Sequence, residues 1–196
     1  MGVPFVGLTG GLGAGKSTAL AVLAALGAEV LSADAVVHEL YETGEVADAV
    51  SARFGSEVFA DGRVDRGALA RRVFEAEEDR VWLEQLLWPL VGARAQEVHA
   101  QASRRRPPPR AVVVEAPLLF EADAASPYEA TIAVVADDAL RAERIAARDQ
   151  AALASREALQ LPQAEKARRS TYVVVNDGTV AELRERLADV LDALAR

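Results

Sequence analysis

The chain contains no cysteine, which excludes disulfides, a thiolate nucleophile and any zinc–thiolate centre, and fits a reducing compartment. Histidine is almost absent too. His38 and His99 are too few and too scattered for a metal site, so surface or helix packing is expected for both. No apolar run approaches the roughly 20 residues that span a bilayer, and no basic leader before an apolar stretch opens the chain. A cytoplasmic protein with no membrane partner is therefore expected. Positive charge is in deficit as well. With a net charge of -8 and a pI near 4.9, the surface is poorly suited to neutralising phosphate over a wide area, which argues against a nucleic-acid partner. The triplet Arg104, Arg105 and Arg106 has no stacking aromatics beside it and reads as a solvated helix end. Any anionic ligand must be held locally. Lysine is the scarcest cation: of 22 basic residues only Lys16 and Lys166 are lysines.

What is present is apolar and regularly punctuated. At 196 residues and 51% hydrophobic, the chain can bury a substantial core as one domain, expected as a monomer or weak homo-oligomer. Val3–Leu8 reads as a buried strand stopping at a glycine-rich turn, and Ser17–Leu26 as a helix ended by Gly27. Glu29–Leu31, Ala111–Val114, Thr131–Val135 and Tyr172–Val175 are further short strand candidates. Helical segments follow the last two, at Ala139–Arg148 and Val180–Leu194. Continuous rather than alternating apolarity favours parallel strands covered on both faces. The expectation is an α/β fold, a three-layer doubly wound parallel sheet of about five strands, with ligands at its carboxyl ends. From Ala35 to Arg106 no strong strand pattern appears, while 46–54, 66–74 and 80–87 carry helix-spaced apolar residues. The expected division is a core at about 1–34, 111–148 and 172–196, a helical insertion at about 35–110 and a lid at about 149–171.

Gly10, four residues, then Gly15, Lys16 and Ser17 satisfy the Walker A pattern between an expected strand and an expected helix. Gly10, Gly11, Gly13 and Gly15 let the backbone curve round a phosphate, with Ala14 inside the same cradle, and turn successive N–H groups inward. The following helix adds unpaired N–H groups and the positive end of its dipole. Lys16 supplies a mobile charge to the β- and γ-phosphates, Ser17 a hydroxyl to Mg²⁺, and Thr18 a phosphate contact. Alone, this loop says only that a nucleoside triphosphate binds.

Three features narrow the choice. Asp34 follows the second strand, where an acceptor hydroxyl would need a general base, although it could equally cap a helix starting at Ala35. Arg141, Arg144, Arg148, Arg156, Lys166, Arg168 and Arg169 cluster in an otherwise acidic chain. Arg144 and Arg148 share a helix face, which is either a solvated face paired with Glu143 and Asp149 or part of an arginine lid over the γ-phosphate. No Asn-Lys-x-Asp guanine-reading motif follows the loop, which disfavours a GTPase.

With these residues in place, the chain resembles the dephospho-CoA kinase family over nearly its whole length. The resemblance rests on the phosphate loop, Ala33-Asp34, and Gly62-Arg63-Val64-Asp65-Arg66 with Leu69 and Phe74. It continues through Pro117-Leu118-Leu119-Phe120-Glu121, Arg144 with Arg148-Asp149, Gln160-Leu161-Pro162 with Glu165-Lys166, and Asn176-Asp177-Gly178. It implies transfer of the ATP γ-phosphoryl, with Mg²⁺, to the ribose 3′-hydroxyl of dephospho-CoA. It also implies Asp34 as base and Thr9, Arg66, Pro117, Leu118 and Leu119 as acceptor-pocket positions. Lys16 and Arg144 would act on the transferred charge, Arg148 as a second lid arginine, and Asn176 and Gly178 as the adenine-side loop.

The chain also departs from the family pattern. Ser32 stands for the first aspartate of Asp-x-Asp, so any role of that carboxylate is lost. Trp88 stands before Pro89 where a histidine is usual, Glu115 where an aspartate is usual, and the lid between Asp149 and Gln160 is a few residues short. Two rivals stay open on sequence. One is a P-loop kinase for a nucleoside or sugar, and the other a nucleotide-dependent regulatory module without an acceptor.

Overall fold

Short valine-rich runs assemble into one five-stranded sheet: β1 (Phe5–Gly10), β2 (Glu29–Ser32), β5 (Val112–Glu115), β6 (Ala130–Val135) and β7 (Tyr172–Val175). Their order is β2-β5-β1-β6-β7 and every pairing is parallel. All residues of β1 and β5 are buried, as expected for central strands covered on both faces. The doubly wound parallel sheet read from the sequence is the observed fold. A computed structural model describes residues 2–146 and 159–196. The chain divides into two compact units, Met1–Ser32 with Val98–Arg196, and Ala33–Glu97.

The first unit holds the sheet. After β1 the chain turns through the glycine-rich loop into α1 (Lys16–Ala25). That helix stops as expected at Gly27, which has φ +92°. Gly27 N–H donates to Ala24 O and Ala28 N–H to Leu23 O, both at 3.0 Å, a Schellman arrangement that satisfies the last carbonyls. Among the described residues this unit also holds the helices α6 (Asp138–Ala146), α7 (Gln163–Arg169) and α8 (Val180–Leu194). Val6, Leu8, Ile132 and Val134 from the sheet pack with Leu23 of α1 and Leu183, Leu187 and Leu191 of α8. Thr179 caps α8, accepting from Glu182 N–H while the Glu182 carboxylate accepts from Thr179 N–H. His99 has the packing role expected of it: its Nε2 lies 2.7 Å from Val3 O and its ring stacks on Phe5.

The second unit has its own core. Val46, Val50 and Phe54 of α3 (Gly44–Phe54) meet Leu69 of α4 (Arg66–Glu75) and Leu83 and Leu87 of α5 (Glu77–Arg104). α2 (Ala33–Leu40) contributes Val37 and Leu40. Two local expectations need correction here. A hairpin of two-residue strands, β3 (Phe59–Ala60) with β4 (Arg63–Val64), lies within the segment read as a helical insertion without strong strand pattern. Its turn is Asp61-Gly62, both at positive φ, a recognised hairpin signal, but strands of two residues carry no readable alternation. The second correction is to the extent of the helix read at 80–87. α5 runs on through Pro89 to Arg104, so the proline removes one donor to the Gln85 carbonyl without ending the helix. No helix among the described residues is long and apolar enough to cross a membrane.

Candidate active site

The phosphate loop is shaped by glycines that no other residue could replace. At Gly15, φ is +93° and an added Cβ would lie 2.1 Å from Asn176 Nδ2. At Gly10, an added Cβ would lie 2.3 Å from Val134 O. Contacts that short force the neighbours to move, so the curvature depends on the missing side chains. Lys16 Nζ reaches back to donate to Gly10 O at 3.1 Å and Gly11 O at 3.2 Å. Its ammonium therefore sits over the concavity of the loop. Ser17 and Thr18 are exposed in the first turn of α1, where no acidic side chain competes for the orphan N–H groups. The combination of inward amides, helix N-terminus and ammonium is an anion site built for a polyphosphate.

Side chains from distant segments brace this loop. Asn176 is buried at the end of β7, and its Nδ2 donates to Ala14 O at 2.9 Å. Arg141 Nε donates to Leu12 O at 2.8 Å, and Arg144 donates to Gly13 O at 3.4 Å and Asn176 O at 3.1 Å. Two guanidinium groups thus stand beside the phosphate loop, bonded to its carbonyls. Arg148 lies outside the described residues, as do Asp149 and Arg156. Gly178 is exposed, and the Glu182 carboxylate closes over it, leaving no room for a Cβ.

Thr9, Pro117 and Lys166 meet at the carboxyl ends of β1 and β5. On sequence Lys166 groups with the basic residues of the lid. The structure corrects this: its side chain is fully buried and paired with Glu121 Oε1 at 2.9 Å. Lys166 also donates to Pro117 O, and to Thr9 Oγ1 at 3.5 Å. Burial pushes its ammonium below the ordinary lysine value, and the Glu121 hydrogen bond opposes that push. Pro117 and Leu118 are half-buried, while Leu119 is fully buried against β1, where an added Cβ on Gly7 would meet it at 3.0 Å.

Across the β2–β5 pairing, Ser32 lies opposite Glu115, and Ser32 Oγ donates to Glu115 Oε2 at 3.1 Å. In the second unit Asp34 is exposed within the first turn of α2. The helix begins at Ala33, one residue before Asp34, so Asp34 does not occupy the capping position. Arg66 is exposed as the first residue of α4, whose cap is Asp65. Burial raises the nearby Tyr41 hydroxyl to a pKa of about 12, with Arg66 partly opposing the rise.

Residues 4–182 match the dephospho-CoA kinase family. A dephospho-CoA kinase from Bradyrhizobium diazoefficiens is 39% identical over 189 residues, 95% of this chain and 93% of the relative. One from Chromobacterium violaceum is 39% identical over 192 residues, 94% of this chain and 91% of the relative. The crystal structure of TT1252 from Thermus thermophilus superposes with a TM-score of 0.84 at 32% identity, covering 98% of each chain. The chain belongs to the dephospho-CoA kinase family.

Within this family frame, Glu115 is a residue that sequence reading treated only as a departure. An apolar strand beside the phosphate-loop strand that closes on an acid is where P-loop enzymes keep a magnesium-side carboxylate, and Val112-Val113-Val114-Glu115 carries that signal. Gln163 was also missed: its amide spans Ala136 N–H at 3.2 Å and Ala136 O at 2.7 Å. Nothing local in the sequence distinguishes it. Among the described residues no group of three or more His, Asp or Glu could hold a metal alone. The exposed Ser17 hydroxyl at the phosphate loop, with a carboxylate on the adjacent strand, fits Mg²⁺, which keeps several waters and binds with substrate phosphates.

Proposed function

We propose that this chain catalyses transfer of the γ-phosphoryl group of ATP to the ribose 3′-hydroxyl of dephospho-CoA, giving coenzyme A and ADP. The observation that carries the reading is the phosphate loop itself, curved by Gly10 and Gly15 under a Lys16 ammonium, in a chain whose family is this kinase family. Phosphoryl transfer asks the protein for positioning and charge stabilisation more than for covalent chemistry. Loop amides from Gly11 to Thr18 hold the β- and γ-phosphates, and Lys16 leaves the Gly10 and Gly11 carbonyls to follow the transferring group. Arg144, already at the rim of the loop, adds positive charge where it develops, with Arg148 as its partner. Asp34 orients the acceptor hydroxyl and takes its proton. Thr9, Arg66, Pro117, Leu118 and Leu119 bind the acceptor, while Asn176 and Gly178 border the adenine. Mg²⁺, held by Ser17 and the phosphates, would screen charge between the transferring oxygens.

In the same reading the core, the helical insertion and the lid act as parts of one kinase domain. The enzyme works in the cytoplasm as a monomer or weak homo-oligomer, with no nucleic-acid or membrane partner. The test is ADP release from purified protein with and without dephospho-CoA, beside a panel of nucleosides and sugars. Dephospho-CoA should stimulate release most strongly. Preference for a nucleoside or sugar would overturn the acceptor assignment, and ATP binding without any acceptor stimulation would point to a regulatory module.

A further inference from the structure

Lys166 has an unusual position for the second of only two lysines in the chain. Its ammonium is fully buried, and three acceptors surround it: Glu121 Oε1 at 2.9 Å, Thr9 Oγ1 at 3.5 Å and the Pro117 carbonyl. An ammonium has three donors and no acceptor, so this environment matches its full capacity. A buried cation is costly unless it is paired and hydrogen-bonded in this way. The ammonium and its acceptors come from three separate stretches of chain. Thr9 lies in β1 before the phosphate loop, one residue before the strand's end at Gly10, Pro117 and Glu121 follow β5, and Lys166 itself sits in α7. Glu121 Oε1 also accepts from Leu161 N–H at 2.7 Å, so one carboxylate oxygen holds both the cation and the backbone before α7. Gln163, one turn before Lys166, fixes α7 to the end of β6 through Ala136.

We propose that Lys166, held by Glu121, is a positioning residue for the acceptor side of the site. It fixes the Thr9 hydroxyl and the Pro117 carbonyl against each other, and thereby sets the wall from Pro117 to Leu119 that faces the acceptor. This rests on the dephospho-CoA reading given above. Lys166 is too deeply buried to meet the transferring phosphate. Its influence runs through Thr9 and Pro117, whereas the loop carbonyls are braced separately by Asn176, Arg141 and Arg144. The two halves of the site therefore answer to different side chains.

The experiment is steady-state kinetics on Lys166→Met and Glu121→Gln in the full chain, with each substrate varied in turn and melting temperatures recorded alongside. The expected result for either variant is a KM for dephospho-CoA raised about tenfold or more, with the KM for ATP within about twofold of the parent. Should Lys166→Met not fold, Glu121→Gln, which keeps the side-chain shape, decides by the same split. Equal changes in both KM values, or a lowered melting temperature with both KM values unchanged, would overturn the positioning role. An inactive parent enzyme would instead count against the kinase reading itself. The double variant Lys166→Met with Glu121→Leu should melt higher than Lys166→Met alone, because no unpaired buried charge remains, yet should keep the raised KM for dephospho-CoA.

Discussion

Ser32 and Glu115 are register partners on adjacent parallel strands, and the serine hydroxyl donates to the glutamate carboxylate at 3.1 Å. At the carboxyl end of the sheet one carboxylate thus stands where the family pattern has two acids. The carboxylate is supplied from β5, and the position across from it on β2 has become its hydrogen-bond donor. Two of the departures from the family pattern are thus in contact, and the physics of each depends on the other.

Restoring the family residue at position 32 should therefore harm this chain. Ser32→Asp places a second carboxylate against Glu115, which is only 8% exposed, and like charges that close cannot both ionise cheaply. The melting temperature at pH 7 should drop by roughly 3–8 °C relative to Ser32→Asn, which adds similar bulk without charge. Because the paired acids hold a proton more tightly folded than unfolded, the deficit should shrink as pH falls towards about 5. Differential scanning fluorimetry across that range checks both points.

Asp34→Asn should leave ATP binding intact and reduce turnover by about two to four decades. Calorimetric titration of ATP and the coupled assay, run on the same preparation, separate the two quantities. Near-normal turnover would remove Asp34 from the mechanism.

Gly15→Ala should abolish tight ATP binding. The new methyl meets Asn176 Nδ2 at 2.1 Å in a residue with φ +93°, so either the loop or Asn176 must shift. Asn176→Ala, which loses the bond to Ala14 O, should weaken ATP binding by about 1–2 kcal/mol while leaving the loop formed. Calorimetry on the two variants should rank Gly15→Ala as the more damaging.

At the start of α8, hydrogen bonds from the Thr179 backbone and hydroxyl hold the Glu182 carboxyl below the usual carboxylate value. A depressed folded pKa means stability that is present above the unfolded value and lost as pH falls through the folded one. Glu182→Gln should thus lower the melting temperature at pH 7, and the gap from the parent should narrow as pH falls below the ordinary carboxylate range. Thr179→Ala should cost about 1 kcal/mol of stability at neutral pH by removing the cap.

The phosphate loop was legible in the sequence because it is built from contiguous backbone. Glycines at 10, 11, 13 and 15 and the lysine at 16 impose their curvature on the residues next to them, and the strand before and the helix after follow from local apolar runs. The parallel sheet was legible for a related reason: strands buried on both faces must be apolar throughout, and β1 and β5 are. Where the elements were too short, as at Phe59–Ala60 and Arg63–Val64, or where packing carried a helix through Pro89, local pattern gave no sufficient signal.

By itself, then, the sequence determined the anion cradle, the class of fold and the family, all of which depend on neighbours in the chain or on burial common to a whole strand. Tertiary structure alone decided the surroundings of single polar groups. Lys166 meets Thr9 across 157 residues, Asn176 meets Ala14 across 162, and Ser32 meets Glu115 across 83. An ionisable or hydrogen-bonding side chain takes its role from the partners that strand register and helix docking bring to it. Those partners lie too far along the chain for any local pattern to specify.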